Sequence, residues 1–122
     1  MCSLLYLFDE NFCMTNEINK IRINRDEVYS LISKIPKGSV STYGDIARAL
    51  GHPNSARVVG AIIGRNPNPI VVPCHRVVEH NGRIGGYSLG IRMKKYLLCK
   101  EGLKLQNDVI QDLERHRVSF LV

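Results

Sequence analysis

Apolar positions Val28, Leu31, Ile32 and Ile35 lie three and four residues apart, the spacing that puts them on one face of an α-helix. Asn24 stands at the N-cap of that helix, with Glu27 three residues on as its capping-box partner, and Pro36-Lys37-Gly38 ends it. The next stretch, STYGDIARALGHPNSARVVGAIIGRNPNP, has the outline of a helix-turn-helix. Thr42 and Asp45 make a second capping pair, and the helix they open runs to about Leu50. Gly51-His52-Pro53 turns the chain, Asn54 or Ser55 caps a further helix reaching about Arg65, and Asn66-Pro67-Asn68-Pro69 breaks it.

Beyond the break, Ile70-Val71-Val72 leads into Pro73-Cys74-His75, and two short extended segments follow around a turn at Asn81-Gly82. Gly85-Gly86-Tyr87-Ser88 is a loop of little bulk. A helix spans about Leu89 to Lys100, with Gly102 as its natural C-cap, and a polar amphipathic helix over Asp108 to Arg117 closes the chain. Residues 1 to 23 show no clear period and are expected as a strand or hairpin packed on the core. The pattern divides the chain into a short N-terminal segment (1–23), a main domain (24–105) and a C-terminal helical extension (106–122). The expected class is mainly α with short strands.

At 122 residues, 44% apolar and 23% charged, the chain makes one domain able to build a core without metal or disulfide staples. Its four cysteines, Cys2, Cys13, Cys74 and Cys99, show no C-x-x-C spacing. Met1 to Phe8 is apolar, but no basic residue precedes it and Asp9-Glu10 follow at once, so no secretory signal is expected. No apolar run approaches the roughly 20 residues needed to span a bilayer. These features predict a reducing compartment, a prokaryotic cytoplasm or a nucleus, and no membrane association.

The net charge of +6 is unevenly spread. Between Lys34 and Lys100 stand eleven basic residues and two acids, Asp45 and Glu79; the flanks hold six basic and nine acidic residues. A basic middle fits either a polyanion-binding face or a well-solvated surface. Ala56, Gly60 and Gly64, at i, i+4 and i+8, form a stripe without side chains that lets a helix approach another surface, or another helix, closely.

Cys74 is the candidate for chemistry. Pro73 precedes it and two bases, His75 and Arg76, follow. A cysteine is nucleophilic as a thiolate, which a neighbouring base or cation favours, and a histidine base needs a carboxylate to orient it. Glu79 lies near an exposed turn. Glu101 ends an apolar helix, where the dipole disfavours an acid, and so invites a functional explanation. Cys74–His75–Glu101 is therefore the candidate triad. A purely structural Cys-His pair is the alternative; the spacing of Cys74, His75 and His80 suits zinc poorly, so no metal is expected. Cys99, on an apolar helix face, is expected in the core.

PCHRV at 73–77, RNPNPIVV before it and GGYS at 85–88 after it closely resemble the active-site domain of O6-alkylguanine-DNA alkyltransferases. GSVSTYGDIARALG, NSARVVGAIIGRNP and KKYLLCKEG follow the family's order and spacing, so the resemblance runs from about Val28 to Leu105. It implies a winged-helix-like helix-turn-helix domain that repairs double-stranded DNA directly. One alkyl group moves from guanine O6, or thymine O4, to a cysteine that stays alkylated, with no cofactor. By resemblance Cys74 is the acceptor, His75 the base acting through a water, and Glu101 the group orienting His75. Asn66 is the hinge asparagine. Tyr43 helps to protonate the leaving guanine, and Arg57 is the finger that replaces the flipped base. Val77, Gly85, Tyr87 and Ser88 line the base pocket. Ser55, Ala56, Gly60, Thr42 and Arg65 belong to the minor-groove surface.

Small residues on a recognition helix suit the minor groove, whose degenerate readout serves repair of damage in any sequence. Most members carry a further N-terminal α/β domain, which this chain is expected to lack, with about two dozen residues ahead of its first matching helix. That leaves stabilisation to the Asp108–Arg117 helix or to association between chains; a monomer is expected. Gly86 and Leu89 depart from the family pattern at the pocket. Two other classes compete: alkyltransferase-like proteins, which bind alkylated guanine without reacting and replace the acceptor cysteine, and transcription regulators that read the major groove. Cys74, His75, Asn66 and Glu101 together favour the reacting enzyme.

Overall fold

A computed structural model of the chain describes residues 23–120; the N-terminal strand or hairpin, Cys2 and Cys13 lie outside the described residues. Helix α1 spans Arg25–Ser33, and the Asn24 side chain caps it by accepting a 2.7 Å bond from the Asp26 amide. Thr42 caps α2, Tyr43–Ala49, by accepting from the Asp45 amide at 3.0 Å. Gly51, at φ 85°, takes a turn conformation that a side chain would strain, and α3, Ala56–Gly64, completes the helix-turn-helix. Ser55 holds the N-cap position of α3 without a side-chain cap bond.

Strand β1, Ser41–Thr42, pairs in parallel with β2, Val77–Val78. Successive strand side chains point to opposite faces, and two cores result. Val77 joins Val28, Ile32, Ile46, Val59, Ile63 and Cys74 among the three helices. Val78 joins Val40, Ile84, Leu98, Leu103 and Ile110 on the other side. The cysteine turn immediately precedes this partition, so the reactive segment is anchored from both cores.

Helix α4, Ile91–Lys100, buries Lys94 and Leu98. Cys99, expected in the core, is exposed. One step beyond Leu98 rotates a side chain by about 100° around the axis, off the buried stripe that Lys94 and Leu98 define.

The helix expected over Asp108–Arg117 is largely replaced by a hairpin. Strand β3, Leu105–Gln106, pairs antiparallel with β4, Val109–Ile110, across Asn107-Asp108, whose φ values are 52° and 62°. Two left-handed residues make the two-residue turn that matches strand twist, and Asn and Asp tolerate it well. Val109 also bridges Arg83, and the Ile110 amide donates to Gly82 O at 2.8 Å. Ile110 thereby fills the second core, which a solvated helix could not do. Only one helical turn remains, α5, Leu113–His116.

The chain then returns to the first sheet. Val40 N–H donates to His116 O at 2.9 Å, and Val118 N–H donates to Val40 O at 2.8 Å. Arg117 clamps Asp45 with two bonds, at 2.7 and 2.9 Å. Burial pushes Asp45 up, but the Arg117 hydrogen bonds and charge, with smaller help from Thr42 and Arg48, together outweigh it and hold the carboxyl below its ordinary value. Arg117→Met should cost about 1–2 kcal/mol in urea unfolding at neutral pH, the range of a charge-assisted pair discounted for partial exposure. That difference should fade as pH falls through the depressed Asp45 value, because the protonated wild type loses the same pair.

Candidate active site

Pro73, at φ −77° and ψ 63°, is the centre of an inverse γ-turn in which the Cys74 amide donates to Val72 O at 2.7 Å. A single 3₁₀ turn over Cys74–Arg76 follows. These two turns break the alternation that would send neighbouring side chains to opposite faces, and Cys74 and His75 are both 2% exposed. His75 Nε2 lies 2.9 Å from Glu101 Oε2. Arg76 grips the same carboxylate through Nε and Nη2, at 2.9 and 2.8 Å, and donates from Nη1 to Ile35 O at 2.8 Å. An acid at a helix C-terminus is thus held by a guanidinium anchored to the end of α1.

Burial pushes Glu101 up, but hydrogen bonds from Arg76 and then His75 outweigh it and hold the carboxyl below its ordinary range. With an ionised acceptor opposite, Nε2 carries the proton and donates. Nδ1 is buried, bonds no protein group and presents its lone pair. Burial lowers His75 against the pull of Glu101, so the ring is neutral and basic at neutral pH. Tyr87 packs edge-on against it, with ring centroids 6.3 Å apart.

Cys74 makes no direct hydrogen bond to His75; its contact is Asn66, whose Nδ2 lies 3.2 Å from the sulphur and 3.1 Å from Val72 O. Asn66 Oδ1 accepts from the Asn68 amide at 3.0 Å. One buried side chain therefore joins the end of α3, the proline-rich loop and the sulphur. Sequence reasoning missed Lys94, which is fully buried. Its ammonium donates to Val77 O at 2.8 Å and Gly86 O at 3.1 Å. Burial pushes Lys94 down to about 8, while the charges of Cys74 and Glu79 pull it up. A lysine in a helix that carries Arg92, Lys95 and Lys100 as well reads as solvated; only its i, i+4 relation to Leu98 hinted at the buried face. Arg76 was visible as a base beside the cysteine, but its hold on Glu101 was not.

A cavity of about 330 Å³ opens onto Cys74 between Tyr43, Gly60, Ile63, Tyr87 and Ser88, within the size range of small-ligand sites. Burial, then Glu79, raises Tyr43 to about 12, and burial, then Cys74, raises Tyr87 to about 12. Both therefore stay neutral donors at the sulphur's pocket. Gly85, at φ 72°, keeps the loop close: a Cβ there would lie 3.4 Å from the Tyr43 hydroxyl. A second cavity, of about 620 Å³, adjoins the first at Tyr43 and Gly60 and is lined by Ala56, Arg57, Glu79 and His80. A hollow of about 470 Å³ beside Asp45, Arg48, Arg117 and Phe120 holds no part of the cysteine chemistry.

The other sequence-derived positions divide. Arg57 and Arg65 are exposed at the start and just past the end of α3. Thr42 and Ser55, expected on the DNA surface, are 1% and 5% exposed, and the Thr42 hydroxyl is committed to the α2 cap. The Val77 carbonyl, expected to meet the base, already accepts from Lys94. Among the described residues, no three of His, Cys, Asp or Glu gather closely enough to hold a metal ion, and no helix is long and apolar enough to cross a membrane.

Residues 24–103 match the family model of the DNA-binding domain of 6-O-methylguanine DNA methyltransferase. The chain belongs to that family. All of Asn66, Cys74, His75, Lys94 and Glu101 fall within the match, whereas Val109–Phe120 falls beyond it. The chain is 57% identical over 79 residues to a methylated-DNA–protein-cysteine methyltransferase of Thermococcus kodakarensis, covering 64% of this chain and 44% of that one. The corresponding figures for the Salmonella typhimurium methyltransferase are 49% over 79 residues, 65% and 46%. The chain thus spans about half the length of these curated relatives.

Solved structures of the methyltransferase family agree on the helix-turn-helix architecture. Mycobacterium tuberculosis OGT in complex with DNA superposes with TM-score 0.62 at 41% identity, covering 66% of this chain and 51% of that one. S. pombe Atl1, in complex with damaged DNA containing O6-carboxymethylguanine, superposes with TM-score 0.70 at 33% identity, covering 81% of this chain and 99% of that one.

Proposed function

We propose that this chain is a single-turnover DNA alkyltransferase that moves an alkyl group from guanine O6 to Cys74. The observation that carries the reading is the sulphur at the mouth of the 330 Å³ cavity, with an Asn66 donor at 3.2 Å and a neutral His75 oriented by Glu101. His75 Nδ1 takes the thiol proton through a water. The sulphur attacks the alkyl carbon, a C–S bond forms, and the C–O6 bond breaks with its electrons returning to guanine. The Tyr43 hydroxyl supplies a proton to the leaving base and recovers one from solvent. No cofactor enters this balance.

Guanine O6 sits within a base pair, so the nucleotide must leave the stack, at a cost of a few kcal/mol. Arg57, exposed on α3 beside the second cavity, is assigned to fill the gap, and the Ala56–Gly60 face to approach the minor groove. Residues 24–105 form the alkyltransferase unit on this reading, and residues 106–118 are a strap, not a helical extension. Arg57→Ala should slow reaction with duplex substrate at least about tenfold, the scale of one lost charge-assisted contact, and spare free alkylated guanine base. Equal losses on both would remove the finger assignment.

The deciding experiment is intact-mass spectrometry after mixing the protein with a duplex containing O6-methylguanine, followed by peptide mapping. One methyl group on Cys74, saturating at one per chain, is expected. The near-complete coverage of the Atl1 chain favours a second reading, a protein that binds alkylated guanine without reacting. Tight binding with no gain in mass would establish that one instead.

A further inference from the structure

Between Lys34 and Lys100 the chain carries only two acids, Asp45 and Glu79. Asp45 is neutralised by Arg117 and Arg48. Glu79 is half-buried and pairs with no cation among the described residues. Among the described residues it is also the one carboxylate lining either of the two cavities that meet at Tyr43. Its position is set by backbone bonds: its amide donates to Arg83 O at 2.8 Å, and its carbonyl accepts from the Gly82 amide at 2.9 Å. A Cβ on Gly85 would come within 3.4 Å of both Glu79 Oε2 and the Tyr43 hydroxyl. The carboxylate therefore projects to the junction of the cavities, on the side shared with Arg57 and His80.

We propose that Glu79 weakens the hold on DNA phosphates around Arg57 and so limits retention on undamaged duplex. The inference rests on the DNA-alkyltransferase reading. Phosphate contacts supply most sequence-independent affinity, and a basic segment with one negative charge outside any salt bridge at its binding face trades part of that affinity away. An undamaged duplex offers only phosphate and groove contacts against that repulsion. A flipped alkylguanine adds contacts in the Cys74 cavity that outweigh it. The repulsion acts on both duplexes alike; its consequence is that binding without the cavity contacts is weak enough to release undamaged DNA.

The test measures Kd by fluorescence anisotropy for an undamaged duplex and for the same duplex with one O6-methylguanine, using the full chain and three variants. Glu79→Gln should bind undamaged duplex about threefold to tenfold tighter, the effect of one like charge removed near a phosphate in a high-dielectric setting. Glu79→Lys should bind tighter still, Glu79→Asp should behave as wild type, and the damaged duplex should tighten in the same order, because its phosphates meet the same charge. Gln and Lys variants that bind undamaged duplex equally or more weakly overturn the proposal; weakening confined to G·C-rich duplexes would instead mean that Glu79 accepts from the guanine amino group. Methyl transfer to wild-type Cys74 is scored in parallel. If it fails while the charge series holds, the repair reading falls and the role of Glu79 at a DNA face stands.

Discussion

Glu101→Gln is expected to cut the rate of Cys74 alkylation by an O6-methylguanine duplex about a hundredfold, at the low end of general-base contributions, while changing duplex Kd less than threefold. The carboxylate accepts from His75 Nε2 and from two Arg76 nitrogens at 2.8–2.9 Å, and it is what leaves the Nδ1 lone pair facing the interior. Glutamine keeps one acceptor but can offer its amide to Nε2, which favours the wrong tautomer. The pH–rate profile separates this role from a structural one. Burial lowers His75 and Glu101 raises it, so removing the carboxylate charge drops His75 further, and the acid limb should move to lower pH. Alkylation of the wild type should itself fail only below the ordinary histidine range. Rate and binding losses of equal size, with an unmoved acid limb, would make Glu101 a fold residue alone.

Lys94→Met should slow alkylation at least about tenfold, the size of one lost charge–charge interaction at a site partly shielded from solvent, yet change stability at pH 7 by less than about 2 kcal/mol. Two effects oppose each other in the fold. Methionine leaves Val77 O and Gly86 O without their charged donor, but it also removes a buried ammonium. The cost of that ammonium follows from its depression from 10.5 to about 8, which corresponds to about 3 kcal/mol. No such cancellation occurs in the reaction, where the positive charge attracts the negative charge developing on sulphur. Between pH 8 and about 10, the unfolded chain keeps this lysine protonated while the folded chain releases the proton. Wild-type stability should therefore gain on Lys94→Met as pH rises through that window. Urea denaturation of both proteins at pH 7 and pH 10 measures the difference; parallel changes would mean that the folded chain keeps the amine protonated through that window, as the unfolded chain does.

Much of the architecture is legible locally. Asn24, Thr42 and Gly51 mark element ends through bonds and dihedrals formed within three residues, so the helices and the helix-turn-helix follow from the chain's own pattern. The same holds for the His75–Glu101 pair, because a carboxylate at a helix C-terminus is unfavourable unless something compensates it. Arg76 is that compensation, and its reach to Ile35 O spans a distance in sequence that no local pattern reports. The Asp108–Arg117 stretch shows the opposite outcome. Its amphipathic spacing suggests a helix, but Asn107-Asp108 admits a tight turn, and Ile110 gains more by entering the second core beside Gly82.

By itself the sequence determined the helical frame, the Pro73-Cys74-His75 turn as the candidate segment, the partner carboxylate at Glu101 and the basic middle with its two acids. Each depends on residue type and short-range spacing. Tertiary structure alone decided that Lys94 is buried against two carbonyls, and that Cys99 is outside. It also decided that Arg117 consumes Asp45 while Glu79 remains unpaired at the junction of two cavities. Those outcomes depend on which charges meet after residues 10 to 70 positions apart are brought together, and desolvation is set by that packing rather than by the sequence neighbourhood.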